Sequence, residues 1–255
     1  MRFALDEYAN LNSPIHRWYP QYKLIGLFAL MFAYAMVEDL RLLPVILTLT
    51  AILYLLSRLP LSFLLTRLRY PGIFLFGIIA VLPFFSGKTI IWEWGIITLR
   101  QEGILAVVLI VCRFLAIFIT GLVLFGTGSF LNLIKAMRSL GLSPILADMM
   151  LLSYRYLFEL GYQLNTMQRA TQLRGFKPTQ LSWRNLQVYA ALAGSLLVRS
   201  YQQSQEIYKA MQLRGYGTSI KSQNSKRSLD VYSLIALIIT LAIVAGLIGL
   251  EFFLF

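Results

Sequence analysis

Residues 231–250, VYSLIALIITLAIVAGLIGL, carry no charged side chain in twenty positions. A helix of about 20 apolar residues rises about 30 Å, the thickness of bilayer hydrocarbon, so this run is read as a membrane-spanning helix. Four more runs of that order follow the same rule: 21–37 (QYKLIGLFALMFAYAMV), 42–57 (LLPVILTLTAILYLLS), 71–86, which is broken by Pro83, and 103–127. Hydrocarbon offers the backbone no hydrogen-bond partner, which leaves helices as the natural form for such segments. With 58% hydrophobic residues and a mean hydropathy of +0.69, the chain is too apolar for an ordinary soluble domain. The expected fold class is an all-α integral membrane protein with about five transmembrane helices.

Charge then orients the spans. Glu38-Asp39-Leu40-Arg41 alone separates the first two runs, so they form an antiparallel hairpin. The link between the second and third carries Arg58, Arg67 and Arg69 without an acid, whereas the link between the third and fourth balances Lys88 and Arg100 against Glu93 and Glu102. Positive charge resists translocation, which makes the former link cytoplasmic and the latter external. The N-terminus is then cytoplasmic, the C-terminus extracytoplasmic, and the chain a multi-pass protein of the cell (inner or plasma) membrane. Residues 1–127 form the N-terminal transmembrane region, 128–230 a cytoplasmic domain with 13 Lys and Arg against four acids, and 231–255 the last span. The net charge of +12 sorts between apolar runs and forms no basic stripe on a soluble fold, so no nucleic acid is expected as a partner. The first 20 residues are polar, so the first apolar run is expected to direct insertion itself.

The cytoplasmic hundred residues read as one short and two long helices. Ser129 caps LNLIKAM and Gly141 ends it. Ser143-Pro144 opens a helix that runs to Arg174, with Met149, Leu152, Tyr156, Leu160, Leu164 and Met167 along one face. A third helix follows Ser182 and ends at Arg214, and its stripe is Leu186, Ala190, Ala193, Leu197, Tyr201, Ser204, Tyr208 and Met211.

Both long helices end on nearly the same octapeptide, RATQLRGF at 169–176 and KAMQLRGY at 209–216. Gly is the usual exit from a helix, and Arg complements the negative end of its dipole. Capping, however, requires neither the shared Ala, Gln and Leu nor the aromatic after Gly. A planar, permanently charged guanidinium at an exposed tip, Arg174 or Arg214, beside Leu173 or Leu213 and Phe176 or Tyr216, suits entry into a groove lined by carboxylates. Two matched tips, with Gly175 and Gly215 in the same slot, imply two matched receptors.

These helix ends, LFGTGSFLNLIKAMRSLGLSPILADMMLLSYRYLFEL (124–160) and the N-terminal LDEYANLNSPIHRWYPQYKLI (5–25), resemble the transmembrane T component of energy-coupling factor (ECF) transporters, the CbiQ/EcfT family. The N-terminal stretch is most similar to the cobalt-type members, although Trp18-Tyr19 stands where Leu-Asp is usual. The resemblance implies an energy-coupling subunit of an ECF-type importer. Its partners would be two ABC ATPases, identical or not, and a substrate-binding membrane S component, with cobalt or another metal or vitamin as cargo. It also implies that Arg174 and Arg214 are the key ATPase contacts.

Other chemistry is sparse. Ser86-Gly87-Lys88-Thr89 has the end of a phosphate-binding loop but Leu82 where its first Gly belongs. Asp6, Glu7 and the single histidine, His16, are too few for a metal site, and the single cysteine, Cys112, lies in an apolar run. No catalytic residue, metal site or cofactor is therefore expected. Arg113, within the fourth run, must face the protein interior and find partners, either fixing helix packing or transmitting movement. Ala242/Gly246 and Ala245/Gly249 have the small-x-x-x-small spacing of close helix contacts. Two other functions would demand different residues. A membrane-embedded lipid- or prenyl-modifying enzyme would need clustered acids or a nucleophile with its base. A conventional ABC permease subunit would present one docking loop per half.

Overall fold

The computed structural model describes residues 13–85, 90–94, 97–176, 182–216 and 231–254. In chain order the elements are α1 (Pro20–Met36), a 3-10 turn (Leu40–Leu42), α2 (Leu43–Ser57), α3 (Leu61–Phe85), β1 (Ile90–Trp94), β2 (Ile97–Arg100), α4 (Gln101–Gly126), α5 (Phe130–Ser139), α6 (Pro144–Leu173), α7 (Trp183–Leu213) and α8 (Val231–Leu254). They form two compact units, Met1–Leu142 with Leu229–Phe255, and Ser143–Ser228.

The first unit is built around α1, which packs on α4, α8 and α5. Lys23, Leu27, Leu30, Tyr34 and Val37 recur at steps of four and three and are all buried, a seam that faces the neighbouring helices. Two apolar clusters flank it. Ile15, Trp18, Leu27, Tyr54, Leu59, Val123 and Leu124 pack at one end, and Leu30, Tyr34, Val37, Leu42, Ile46, Ala116 and Leu247 at the other. Alpha1 and α8 run parallel. The Tyr19 amide donates to Ser233 Oγ at 3.0 Å and the Glu38 amide to Glu251 Oε1 at 2.7 Å. Between those bonds α8 advances 18 residues, or about 27 Å. Gly26 permits the approach, since a Cβ there would lie 2.8 Å from Thr240 Oγ1 and 3.2 Å from the Trp18 ring.

Among the described residues, four helices are long and apolar enough to cross a bilayer: Leu40–Ser57, Leu61–Ile79, Glu102–Gly126 and Val231–Phe253. With 17 residues, α1 is shorter than these, yet it covers the depth that α8 covers between its two bonds. Side chains such as Phe32, Leu55, Phe74 and Phe76, each about 70% exposed, point away from the bundle, as lipid-facing residues do.

The helical boundaries fall where caps and apolar runs place them, with three differences. First, α3 starts ten residues before the expected 71, running through Arg67, Arg69 and Pro71. Arg is a good helix former, so charge ends a span without ending its helix. Second, β1 and β2 pair antiparallel with Trp94 opposite Ile97. The β-branched run Ile90-Ile91 and Ile96-Ile97-Thr98 favours strands, a signal that a search for spans passes over. Third, the small stripe of α8 lies outward, and among the described residues a Cβ at Gly246 or Gly249 would meet nothing within 4 Å. The close contact that the stripe suggested belongs instead to Gly26.

In the second unit α6 has 30 residues and α7 has 31. The expected stripe of α6 is partly buried apart from Met149, 58% exposed. Alpha7 differs, because its shielded face is Val188, Leu192, Leu196, Ser200, Gln203, Ile207 and Met211. Of the expected stripe only Met211 joins it, and Leu186, Leu197, Tyr201 and Tyr208 are 54–71% exposed. The helix carries two apolar faces, and periodicity alone did not tell which one α6 takes.

Candidate functional site

The two octapeptides fold alike. At the end of α6 the Gly175 amide donates to the Gln172 carbonyl at 2.9 Å and the Phe176 amide to the Thr171 carbonyl at 3.2 Å. At the end of α7 the Gly215 amide donates to Gln212 at 2.9 Å and the Tyr216 amide to Met211 at 3.0 Å. This crossed pair of bonds is the Schellman cap, which needs a left-handed residue at its turn. Gly175 and Gly215 supply it, with φ of +88° and +80°. Arg174 and Arg214 hold the last near-helical position, at φ −85° and −87°, so each guanidinium leaves from the rim of its helix. Leu173 and Leu213 are 90% and 91% exposed. Among the described residues neither guanidinium has an ion-pair or hydrogen-bond partner.

Alpha5 provides an internal comparison. It ends with the same cap, Gly141 at φ +111° and the Leu142 amide donating to Met137 at 3.1 Å, but on the sequence Ser139-Leu140-Gly141. The cap therefore accounts for the glycines and leaves the Leu-Arg pairs unexplained.

The aromatics that follow reach the neighbouring helix, Phe176 half-buried and Tyr216 still 41% exposed. Phe176 stands edge-to-face on Tyr189 of α7 with centroids 5.4 Å apart, and Tyr216 Oη donates to Asp148 Oδ2 of α6 at 3.2 Å. They tie each tip to the neighbouring helix, while Leu173 and Leu213 stand almost fully exposed beside the arginines. These contacts pair the end of each helix with the beginning of the other, so α6 and α7 are antiparallel. From Asp148 to Phe176 is 28 residues, and the two tips stand at opposite ends of a rod pair about 40 Å long.

Arg113 finds its partner at the end of α1. Its Nη2 donates to the Val37 carbonyl, and the N–H of that same peptide unit, from Glu38, is the one that Glu251 accepts. Arg113 Nε, Glu251 Oε2 and Tyr34 Oη are buried without partners among the described residues. Although Arg113 sits midway along α4, it lies level with the end of α1, because the first turns of α4 run past that end.

Sequence reasoning passed over a second buried cation. Lys23 is 4% exposed, and its Nζ donates to Thr127 Oγ1. A lysine inside an otherwise apolar 17-residue run was the available signal. His16 accepts or donates at Nδ1 to Ser13 Oγ at 2.6 Å, within a turn. Cys112 is a half-buried free thiol. Asp6, Glu7 and Ser86-Gly87-Lys88-Thr89 lie outside the described residues. Among the described residues, no three His, Cys, Asp or Glu side chains gather as metal ligands.

The chain matches the family described as CbiQ, cobalt transport protein, over residues 11–226. It is similar to the energy-coupling factor transporter transmembrane protein EcfT of Limosilactobacillus fermentum (strain CECT 5716 / Lc40), 25% identical over 231 residues that cover 84% of each chain. The EcfT of Macrococcus caseolyticus (strain JCSC5402) is 26% identical over 93% of this chain and 94% of its own. That of Ruminiclostridium cellulolyticum (strain ATCC 35319 / DSM 5812 / JCM 6584 / H10) is 24% identical over 99% and 98%.

Proposed function

The chain belongs to the CbiQ cobalt transport protein family, and on that premise we propose that it passes ATP-driven motion from two cytoplasmic ABC ATPases to a substrate-binding membrane subunit. It is a non-catalytic membrane subunit. The observation that carries this reading is the pair of matching tips, each exposing a Leu beside a guanidinium that has no partner among the described residues, while α5 has the same cap without that Leu-Arg pair. An exposed Leu-Arg end fits a groove with an apolar floor and an acidic wall. Two such ends, at opposite ends of an antiparallel pair, fit a dimer of ATPases, with one socket on each subunit.

The ends of the first unit support a cytoplasmic N-terminus. The starts of α1 and α8 and the end of α4 meet at Ser233 and Thr127, and Leu59 and Phe63 of the Arg58-bearing link pack on Gly126 at the same end. That link is rich in Arg, as cytoplasmic loops are. The open stripe of α7, Leu186, Leu197, Tyr201 and Tyr208, is the proposed seat of the substrate-binding subunit. Cobalt is the proposed cargo, on the strength of the family's description and the N-terminal SPIHR run, with its ligands supplied by that partner.

The test is copurification in mild detergent, followed by ATP hydrolysis and Co2+ uptake. Arg174→Glu with Arg214→Glu is expected to abolish ATPase capture and uptake while the chain still inserts and accumulates. Retained capture and uptake in the double variant would overturn the proposal, and uptake of another metal or a vitamin in place of Co2+ would overturn the cargo.

A further inference from the structure

Lys23 stands in the crook between α4 and α5, the short helix that precedes the long ones. Alpha4 ends at Gly126 and α5 begins at Phe130, with Thr127-Gly128-Ser129 as the elbow between them. The Lys23 ammonium lies against the final turn of α4, where unpaired carbonyls carry partial negative charge. It donates to Thr127 Oγ1, which in turn donates to the Val123 carbonyl at 2.5 Å. Gly128 lies beside it, at a distance where an added Cβ would make an ordinary contact, 4.0 Å from Nζ. Ser129 then caps α5 by accepting from the Asn132 amide at 3.3 Å.

The residues just before Lys23 hold the other connection. Trp18 Nε1 donates to the Ser233 carbonyl at 3.1 Å and the Tyr19 amide to Ser233 Oγ, both in the first turn of α8. The second unit is joined to the first by two covalent links, one after α5 and one before α8. The start of α8 and the elbow that leads into α5, one short helix ahead of the first link, are both fastened to residues 18–23. A methionine would fill the place of Lys23 without the cost of desolvating a charge, so packing alone is a poor reason for an ammonium there.

We propose that Lys23 is a positioning residue for coupling: its bond to Thr127 locks the α4–α5 elbow to α1, so that movement of the long helices reaches α1, α4 and α8 together. This rests on the function proposed above. The experiment compares Lys23→Met, Lys23→Arg, Thr127→Val and Thr127→Ser in the assembled complex, by ATPase copurification, ATP hydrolysis, and uptake per ATP hydrolysed. Lys23→Met and Thr127→Val are expected to keep the ATPases bound and hydrolysing while uptake per ATP falls about tenfold, within the range that coupling substitutions reach. Lys23→Arg and Thr127→Ser, which keep the donor and the acceptor, are expected to retain most of it. Unchanged uptake per ATP in Lys23→Met and Thr127→Val overturns the proposal, as does equal loss in the conservative pair. Should Lys23→Met fail to accumulate, the near-isosteric Thr127→Val and Thr127→Ser pair decides alone. A wild-type chain that captures no ATPase refutes the proposed function itself, which the variants do not affect.

Discussion

The rings of Phe176 and Tyr189 stand at 84° to each other, with centroids 5.4 Å apart, and this contact ties the exit of α6 to α7. The Phe176 amide is also the donor that closes the α6 cap on Thr171. One residue thus fixes both the direction of the helix end and the place from which Arg174 projects.

Phe176→Ala is therefore expected to loosen the tip rather than the rod. An edge-to-face pair contributes about 1 kcal/mol, so hydrogen exchange at the Gly175 and Phe176 amides should quicken about fivefold, while amides in the middle of α6 keep their protection. Uniform loss along α6 would contradict this.

Glycine-to-alanine substitutions should separate by sign. At Gly175 and Gly215, φ of +88° and +80° makes alanine cost about 1–2 kcal/mol. Gly194 lies inside α7 with nothing within 4 Å of an added Cβ, and there alanine should stabilise by up to about 1 kcal/mol. Thermal unfolding of the three variants in detergent checks the order.

Gly26→Ala should lower the unfolding temperature and weaken the α1–α8 contact. Its Cβ would come within 2.8 Å of Thr240 Oγ1, and overpacking of this kind costs about 1–3 kcal/mol. Gly249→Ala, with open space around it inside α8, should not lower the unfolding temperature in the same measurement.

Much of this architecture was legible in the residues. Ser129, Ser143-Pro144 and Ser182 mark the helix starts, and Gly141, Gly175 and Gly215 the ends, because caps are chemistry local to a few residues. Partner choice was not legible. Alpha7 offers two apolar faces, and only the position of α6 decides that Leu192 and Leu196 are covered while Leu197 and Tyr201 stay open. The same holds for Phe176 and Tyr216, which the repeat presented as parts of the tip and the structure assigns to Tyr189 and Asp148. Lys23 was visible as a charge in a span, but its acceptor lies 104 residues away, beyond any local pattern.

The peptide unit shared by Val37 and Glu38 has one further implication. Its oxygen faces the cation of α4 and its hydrogen the anion of α8, so the opposite charges of Arg113 and Glu251 compensate through a dipole lying between them. Two ions in direct contact tolerate trading places, whereas a dipole has polarity. The exchange Arg113→Glu with Glu251→Arg would set a carboxylate against a carbonyl oxygen and a guanidinium against an N–H. It should rescue neither single change, each of which costs about 1–3 kcal/mol, and recovery of the unfolding temperature by the swapped pair would refute that polarity.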